Sequence, residues 1–366
     1  MSEADLQEIR QLAREFAAAE LRPHTEAWDH DGAFDPAVLA QLAELGFLGM
    51  LVPEVDGGLG FTLPQYMAVL EELAWGEPGV ALAVAESTLV SALVAEGTGG
   101  AVRQRWLDAL AGGQSIGTRA VAEAQGSDAA PAAAGTGAEA GGQGWLLNGR
   151  KAFVPGAATA GVLAVLAGTG QDGTGLFLVP KATAGVSLAA GPASLGLRTL
   201  GLTDVELAGV TVEEGARVGE DGLQLLAAVA ATARLAYAAV AVGIGQAALD
   251  HAIRYADERE QFGRPIRAFE GIQFKLADMA AGVGAARAAT MAAATLPGAR
   301  VAAEAKLTAS STAMKVSNEA VQIFGGYGYM RDYPVEKLMR DAKATEILEG
   351  SSEILRVEIA RGLYQH

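Results

Sequence analysis

Apolar positions recur at helical spacing through the first third of the chain: Leu6, Ile9, Leu12, Ala13 and Phe16, then Val38, Leu39, Leu42 and Leu45, then Met67, Leu70 and Leu73. Recurrence at i, i+3 and i+4 predicts amphipathic helices. Pro53, Gly57, Gly58, Gly60 and Pro64 punctuate a loop between two of them. The texture changes near residue 116. Short apolar runs at 145–147, 162–166 and 176–179, separated by Gly and Pro clusters, predict the strands of a small antiparallel sheet or barrel. The stretch 129–144, almost entirely Ala and Gly, reads as a mobile hairpin or loop. Helical periodicity returns at Gly222 and runs over roughly 222–257, 270–295, 299–323 and 333–343, with a last helix from about 352. Long amphipathic helices in succession predict a bundle. The expected fold class is thus multidomain α+β. It has an N-terminal α-helical domain over 1–115, a middle antiparallel β-domain over 116–220 and a C-terminal four-helix bundle domain over 221–366.

Composition narrows the function. With 366 residues, 51% hydrophobic and 19% charged, the chain can bury more than one core. A formal charge of −16 argues against nucleic acid and against a polybasic membrane patch, so an acidic ligand must be held by local donors. Cysteine is absent, which excludes disulfides, thiolate metal sites and a thiol nucleophile. The four histidines, His24, His30, His251 and His366, are too scattered to suggest a metal cluster. The N-terminus is acidic and amphipathic and does not read as a signal peptide. The longest apolar stretch, 235–249, reads as a buried bundle helix, too short and too weakly apolar to span a bilayer. The expectation is a soluble, cytoplasmic protein without membrane insertion.

Five stretches could carry chemistry, and each has a plainer reading. In "ATEILEGSSEILRVEIAR", Glu349 follows Ile347 and Leu348 and stands just before a helix start. Sheltered in an apolar pocket it could act as a base toward a carbon acid; otherwise it solvates a helix end. "VQIFGGYGYM" offers the Gln322 amide and the close backbone approach that Gly325, Gly326 and Gly328 permit, or a helix end and a turn. "RYADEREQFGRPI" places Arg259 where it could hold a phosphate, or on a solvated helix face. "AVAEAQGSD" ends a possible strand in a Gly-Ser turn with donors, or in a turn and nothing more. Arg234 stands alone on an apolar helix, so it must find an anion or an acidic partner within the chain.

Taken in order, these stretches resemble the flavin-dependent acyl-CoA dehydrogenases over essentially the whole chain. The run "YPVEKLMRDAKATEILEGSSEILRVEIAR" after "AVQIFGGYGYM" is similar to that family's C-terminal signature, and "RYADEREQFGRPIRAFEGIQFKLADMA" to its segment between two bundle helices. "LVPEVDGGLG" and "VLEELAW" resemble its N-terminal domain, and "LNGRKAFV" and "SLGLRTLGLTDVEL" its middle domain. The resemblance implies α,β-desaturation of an acyl-CoA thioester. Glu349 would take the α-proton while a hydride leaves the β-carbon for FAD, and an electron-transfer flavoprotein would accept the electrons. Its implied substrate residues are Arg234, Ser127 and Gly350. The implied FAD contacts are Val121, Ala122, Ser127, Phe153 and Pro155 from the β-domain. Arg259, Gln261, Phe262, Gln322, Ile323, Phe324, Gly325 and Gly326 would contact FAD across a subunit interface. Ser351, Ser352 and Glu353 would approach it at a helix N-terminus. A homodimer or homotetramer follows.

The sequence departs from the family pattern at the flavin. Ala122 stands where the family loop has Thr, and the loop is one residue shorter; Phe153-Val154-Pro155 replaces Trp-Ile-Thr. Each lost neutral hydrogen bond costs about 1 kcal/mol, so the two together weaken FAD binding about tenfold. Where some family branches carry the base, just before the helix arginine, this chain has Ala233. Two further classes stay open: a flavin-poor structural subunit of a hetero-oligomer, and an acyl-CoA oxidase that gives its electrons to oxygen.

Overall fold

A computed structural model describes residues 3–124, 135–142, 144–170, 173–189 and 193–364. The N-terminal helices are α1 (Glu3–Phe16), α2 (Thr25–Asp31), α3 (Ala37–Glu44), α4 (Leu63–Gly76), α5 (Pro78–Gly97) and α6 (Gly100–Ala111). The strands that follow are β1 (Gly117–Ala120), β2 (Gly137–Gly141), β3 (Gly144–Pro155), β4 (Val162–Gly170), β5 (Gly173–Pro180), β6 (Val186–Ala189), β7 (Leu202–Glu213) and β8 (Arg217–Val218). The chain ends in α7 (Gly222–Glu258), the short strands β9 (Glu260–Gln261) and β10 (Arg264–Pro265), α8 (Glu270–Thr295), α9 (Ala299–Phe324), α10 (Pro334–Thr345) and α11 (Ser352–Gly362). The helix bounds follow the hydrophobic periodicity to within two residues over 222–323. The 37-residue α7 starts at its Asp221 cap, whose carboxylate accepts from the N–H groups of Leu223 and Gln224.

The sheet runs β6-β7-β3-β2-β4-β5-β8, with β1 on β4. Most pairs are antiparallel: β3 lies on β7 from Gly144↔Glu213 to Pro155↔Leu202, and β4 on β5 from Val162↔Pro180 to Gly170↔Gly173. The expected antiparallel sheet therefore holds, except that β1 pairs β4 in parallel and β2 meets β4 in parallel at Gly137↔Gly168. In the stretch read as a hairpin or loop, Gly137–Gly141 form β2; 129–134 and 143 lie outside the described residues.

One apolar core is shared by the first and last helical parts. Tyr66, Leu70 and Leu73 of α4, Val80 and Val84 of α5, Leu235, Tyr237 and Ile244 of α7, and Val316 of α9 all contribute. Helix α7 approaches α4 so closely that a Cβ on Gly243 would lie 2.3 Å from the Glu71 carbonyl oxygen. A second core (Trp145, Leu147, Val165, Phe177, Val205) fills one side of the sheet, and a third (Val90, Leu93, Leu107, Leu166, Leu178, Val229) packs its other side on α5, α6 and α7. Burial on both faces explains why β4 reads as one unbroken apolar run.

Among the described residues two helices, α5 and α7, are long and apolar enough to cross a membrane. The apolar stretch 235–249 is therefore not short of a span by helix length, as the sequence suggested. Its side chains are instead committed to the shared core, with every residue of 235–245 buried.

Candidate active site

The segment between α10 and α11 carries Glu349. Helix α10 closes with the N–H groups of Ile347 and Leu348 donating to the Ala344 carbonyl at 3.1 and 3.0 Å. The chain then reverses through two left-handed residues, Glu349 at φ 55° and Gly350 at φ 92°. For a non-glycine residue that conformation is strained, and such strain concentrates at functional sites. Two groups hold the reversal. Lys306, fully buried on α9, donates from Nζ to the Gly350 carbonyl at 2.6 Å. Ser351 caps α11, its hydroxyl accepting from the Ile354 N–H at 3.4 Å. Among the described residues, the backbone N–H of Glu349 donates to no protein acceptor.

This turn sends the Glu349 carboxylate against Arg119 of β1. Arg119 Nη2 lies 2.7 Å from Glu349 Oε2, and Nη1 lies 3.5 Å from Oε1. The same guanidinium is gripped by Glu86 of α5, with Nε 3.0 Å from Oε2 and Nη2 2.7 Å from Oε1. Tyr237 of α7 donates its hydroxyl to Glu86 Oε1 at 3.0 Å. The Glu86 side chain is 2% exposed, Arg119 11% and Glu349 18%. Burial works against the charge on Arg119, but Glu349 and then Glu86 outweigh it and hold the guanidinium protonated, well above its ordinary range. Burial, reinforced by Glu86, pushes the Tyr237 phenol up, so it stays a neutral donor. Glu349 is therefore sheltered from bulk water as expected, but the expected apolar pocket is not what surrounds it. Its nearest neighbour is a cation, backed by a second carboxylate.

Next to this cluster, the exit of β1 and the end of β3 are stitched together. Thr118 Oγ1 donates to the Pro155 carbonyl at 2.6 Å, the Ala152 N–H to the Ala122 carbonyl at 2.9 Å, and Lys151 Nζ to the Val121 carbonyl at 3.2 Å. Val121, Ala122, Phe153 and Pro155 are thus brought together. An irregularity between Lys151 and Val154 puts Phe153 at φ 54° with its N–H donating to Asp204 Oδ1 at 3.0 Å, and leaves its ring 45% exposed. Ser127 lies outside the described residues.

The remaining candidates form two groups. Ile323 and Phe324 are buried at the end of α9, Phe324 stacked on Tyr255 with ring centroids 4.0 Å apart. Gln322, Gly325 and Gly326 face outward there, and a Cβ on either glycine would meet nothing within 4 Å. Gln261 and Phe262 sit on the β9–β10 hairpin, Phe262 92% exposed at φ 54°. Arg259 reaches back over the Tyr327 ring at 5.6 Å. Ser352 is buried at the start of α11 and Glu353 exposed beside it. Arg234 has found its partner inside the chain: its Nη1 and Nη2 lie 2.7 and 2.9 Å from the Glu358 carboxylate of α11. It is thus engaged by an ion pair, not presented to an open anion site.

Sequence reasoning missed Arg119, Glu86, Tyr237 and Lys306. Glu86 carried a usable signal, because it is a charge inside a helix otherwise packed nearly all round; Lys306 did not, because α9 is amphipathic and carries other charges. Arg119 lies in a four-residue strand too short to show a pattern. A separate cavity of about 390 Å³ is lined by Arg22, Trp75, His251, Arg331 and Lys337 among others, and Glu349 is not among its walls.

Comparison with known proteins covers nearly all of the chain. Family models described as the acyl-CoA dehydrogenase N-terminal, middle and C-terminal domains match residues 3–114, 119–210 and 220–364. The short-chain specific acyl-CoA dehydrogenase of Bos taurus mitochondria is 38% identical over 368 residues, covering 97% of this chain and 89% of the relative. A solved structure of butyryl-CoA dehydrogenase from Megasphaera elsdenii superposes with a TM-score of 0.94 at 32% identity, covering 100% of this chain and 99% of that one. A chain from a structure described as an electron transferring flavoprotein of Acidaminococcus fermentans gives 0.95 at 33%, with the same coverage.

Proposed function

The chain belongs to the acyl-CoA dehydrogenase family and is an oxidoreductase, and we propose that it desaturates an acyl-CoA thioester between the α- and β-carbons with Glu349 as the base. The substrate gives up a proton from the α-carbon to Glu349 and a hydride from the β-carbon, and a carbon–carbon double bond forms. Bound FAD supplies the hydride acceptor. The α-proton of a thioester is weakly acidic, so the carbonyl oxygen must be stabilised as charge develops on it. The backbone N–H of Glu349, which donates to no protein acceptor among the described residues, is a donor in the strained turn. That turn, with its carboxylate turned inward and its N–H unclaimed, is the observation that carries the proposal.

The residues present fit a flavin. Phe153 offers an uncovered ring on a strained backbone, and Val121, Ala122 and Pro155 border it. Gly325 and Gly326, open above their Cβ positions, and the exposed Phe262 suit contact with the cofactor and a second subunit. The proposal therefore includes a homodimer or a dimer of dimers, with Arg259, Gln261 and Gln322 serving the cofactor across the interface. Similarity to butyryl-CoA dehydrogenase supports a short acyl chain, and similarity to the flavoprotein chain supports an electron-transfer flavoprotein as acceptor.

One observation favours the structural-subunit reading: the Glu349 carboxylate is already paired to Arg119. The visible spectrum of the purified protein separates the two. Near-stoichiometric flavin absorbance that bleaches anaerobically with a short acyl-CoA supports the dehydrogenase, and a colourless protein that refuses added FAD supports the scaffold. Glu349→Gln should keep flavin and ligand but lose the bleaching. Undiminished reduction in that variant removes Glu349 as base.

A further inference from the structure

Arg119 is built into the frame before Glu349 reaches it. Its backbone N–H and Nε point at Glu86 Oε2 at 3.4 and 3.0 Å, its Nη2 reaches Oε1 at 2.7 Å, and Tyr237 fixes Glu86 from α7. Beside it, the Gly117 N–H donates to Ser87 Oγ at 3.1 Å, tying β1 to α5. Glu86 alone balances the guanidinium, which is what a buried cation requires. Glu349 is then a second carboxylate on one cation, and the three groups carry a formal charge of −1.

The two edges of the guanidinium are not equally satisfied. Nε and Nη2 have short bonds, whereas Nη1 has, among the described residues, only the contact to Glu349 Oε1 at 3.5 Å, the limit of a useful hydrogen bond. Oε2 is held at 2.7 Å, so Oε1 is the oxygen free to take a proton. Once Oε1 is protonated it is a poor acceptor, and Nη1 is left buried without one. A substrate placed for proton transfer to Oε1 would come within reach of Nη1. With the α-carbon at roughly 3.5 Å from Oε1, Nη1 is at most about 7 Å from that carbon. An oxygen on the γ-carbon, itself roughly 3.5 Å from the α-carbon, closes the gap with one ordinary hydrogen bond.

We infer that Arg119 is a specificity-determining residue, and that the acyl group this chain prefers carries an uncharged oxygen acceptor on its γ-carbon. The inference rests on the reading of Glu349 as base. Charge decides that the acceptor is neutral, since a carboxylate would bring a second unbalanced negative charge into a site that already has one. A plain alkyl chain fits but leaves Nη1 unpaired, and a site built to bond an oxygen discriminates against the analogue without it.

The test compares 4-oxopentanoyl-CoA, pentanoyl-CoA and succinyl-CoA on the flavin-loaded protein. The keto thioester should exceed the alkyl one in kcat/KM by about tenfold, and Arg119→Met should bring that ratio close to one. Arg119→Lys, which keeps a cation with fewer donors, should give an intermediate ratio and guards against a variant that fails to fold. Equal or better use of pentanoyl-CoA by the native protein overturns the inference, and so does a preference for succinyl-CoA. If no thioester is oxidised, the proposed function fails, and the same ranking is then read in dissociation constants by calorimetry. Equal affinities there overturn the role of Arg119, and tighter binding of the keto thioester sustains it.

Discussion

Glu349 sits in a conformation that costs a non-glycine residue on the order of 1 kcal/mol, and it adds a second carboxylate to a buried pair already neutral without it. The backbone is thus kept against stability, while the carboxylate helps hold Arg119 charged. Glu349→Gly relieves the strain but loses that ion pair, so it should leave the unfolding free energy within about 1 kcal/mol of native in urea titration while abolishing flavin reduction; a larger loss would contradict this account of the turn. Glu349 stood out as a carboxylate between an apolar segment and a Gly-Ser-Ser helix start, but spacing alone favoured a helix-end residue, and the family resemblance supplied its role as base. The turn's φ values were not legible, because only the packed environment forces a glutamate into the left-handed region. Glu86 was open to the argument made for Arg234, a lone charge on an apolar helix that must find a partner. Arg119 was not, since its partners lie 33 and 230 residues away in sequence. The expected apolar surroundings of the base followed from general chemistry, and three long-range contacts replaced them.

At the scale of elements, the helices were readable because their periodicity is local. Helices α7, α8 and α9 begin and end within a residue or two of the hydrophobic pattern. The parallel pairing of β1 on β4 was hidden, since it joins segments about 45 residues apart through contacts that leave no periodic mark. What locks the elements together is also non-local. Lys337 of α10 lies 3.0 Å from Glu77 at the start of α5 and 2.7 Å from Asp341. Glu77 accepts from Thr199 Oγ1 at 2.8 Å, and Asp341 from the Leu197 N–H at 2.6 Å, which seats the 195–201 segment of the middle part on both helices. Burial pushes the Glu77 carboxyl up, and Lys337 opposes that shift. Lys337→Met strands two buried carboxylates and should cost about 3–5 kcal/mol in denaturant titration. A second junction sets the acid limit. Arg22 Nη2 lies 2.6 Å from His251 Nε2 of α7, and an arginine can only donate, so His251 is neutral with its proton on Nδ1. Burial, then Arg22 and Arg254, lowers its pKa from 6.5 to about 3. The unfolded chain binds that proton below pH 6.5 and the folded one does not, so stability is full above pH 6.5. It then falls as the pH drops toward 3, by up to about 1.4 kcal/mol per pH unit. Native protein should lose thermal midpoint from pH 7 to 5 more steeply than His251→Gln; parallel curves would remove His251 from the account.

Across the whole molecule, α, then β, then α was legible because the hydrophobic period switches twice along the chain. The extent of sharing between the two helical parts was not, because the core joining α4, α5, α7 and α9 is visible only once packed. That shared core also accounts for the two helices apolar enough for a bilayer. What the fold leaves uncovered is as informative. Phe262 is 92% exposed, and near the far end of α9 Tyr329 is 85% and Met330 51% exposed, around glycines with open space where a Cβ would be. Large apolar side chains held on a strained hairpin and a tight turn, with no cover from their own chain, fit an assembly interface better than open solvent. The chain's charge of −16 opposes self-association in general, so contact must come from complementary apolar patches of this kind. The protein should therefore sediment as a dimer or tetramer at physiological salt, and Phe262→Asp should shift it toward monomer. Because the same hairpin carries Gln261 and follows Arg259, the variant should lose flavin together with its partner, read as absorbance per protomer across a dilution series. Retention of full flavin by a dissociated Phe262→Asp protomer would show that one chain holds the cofactor unaided, and would detach this surface from the chemistry at Glu349.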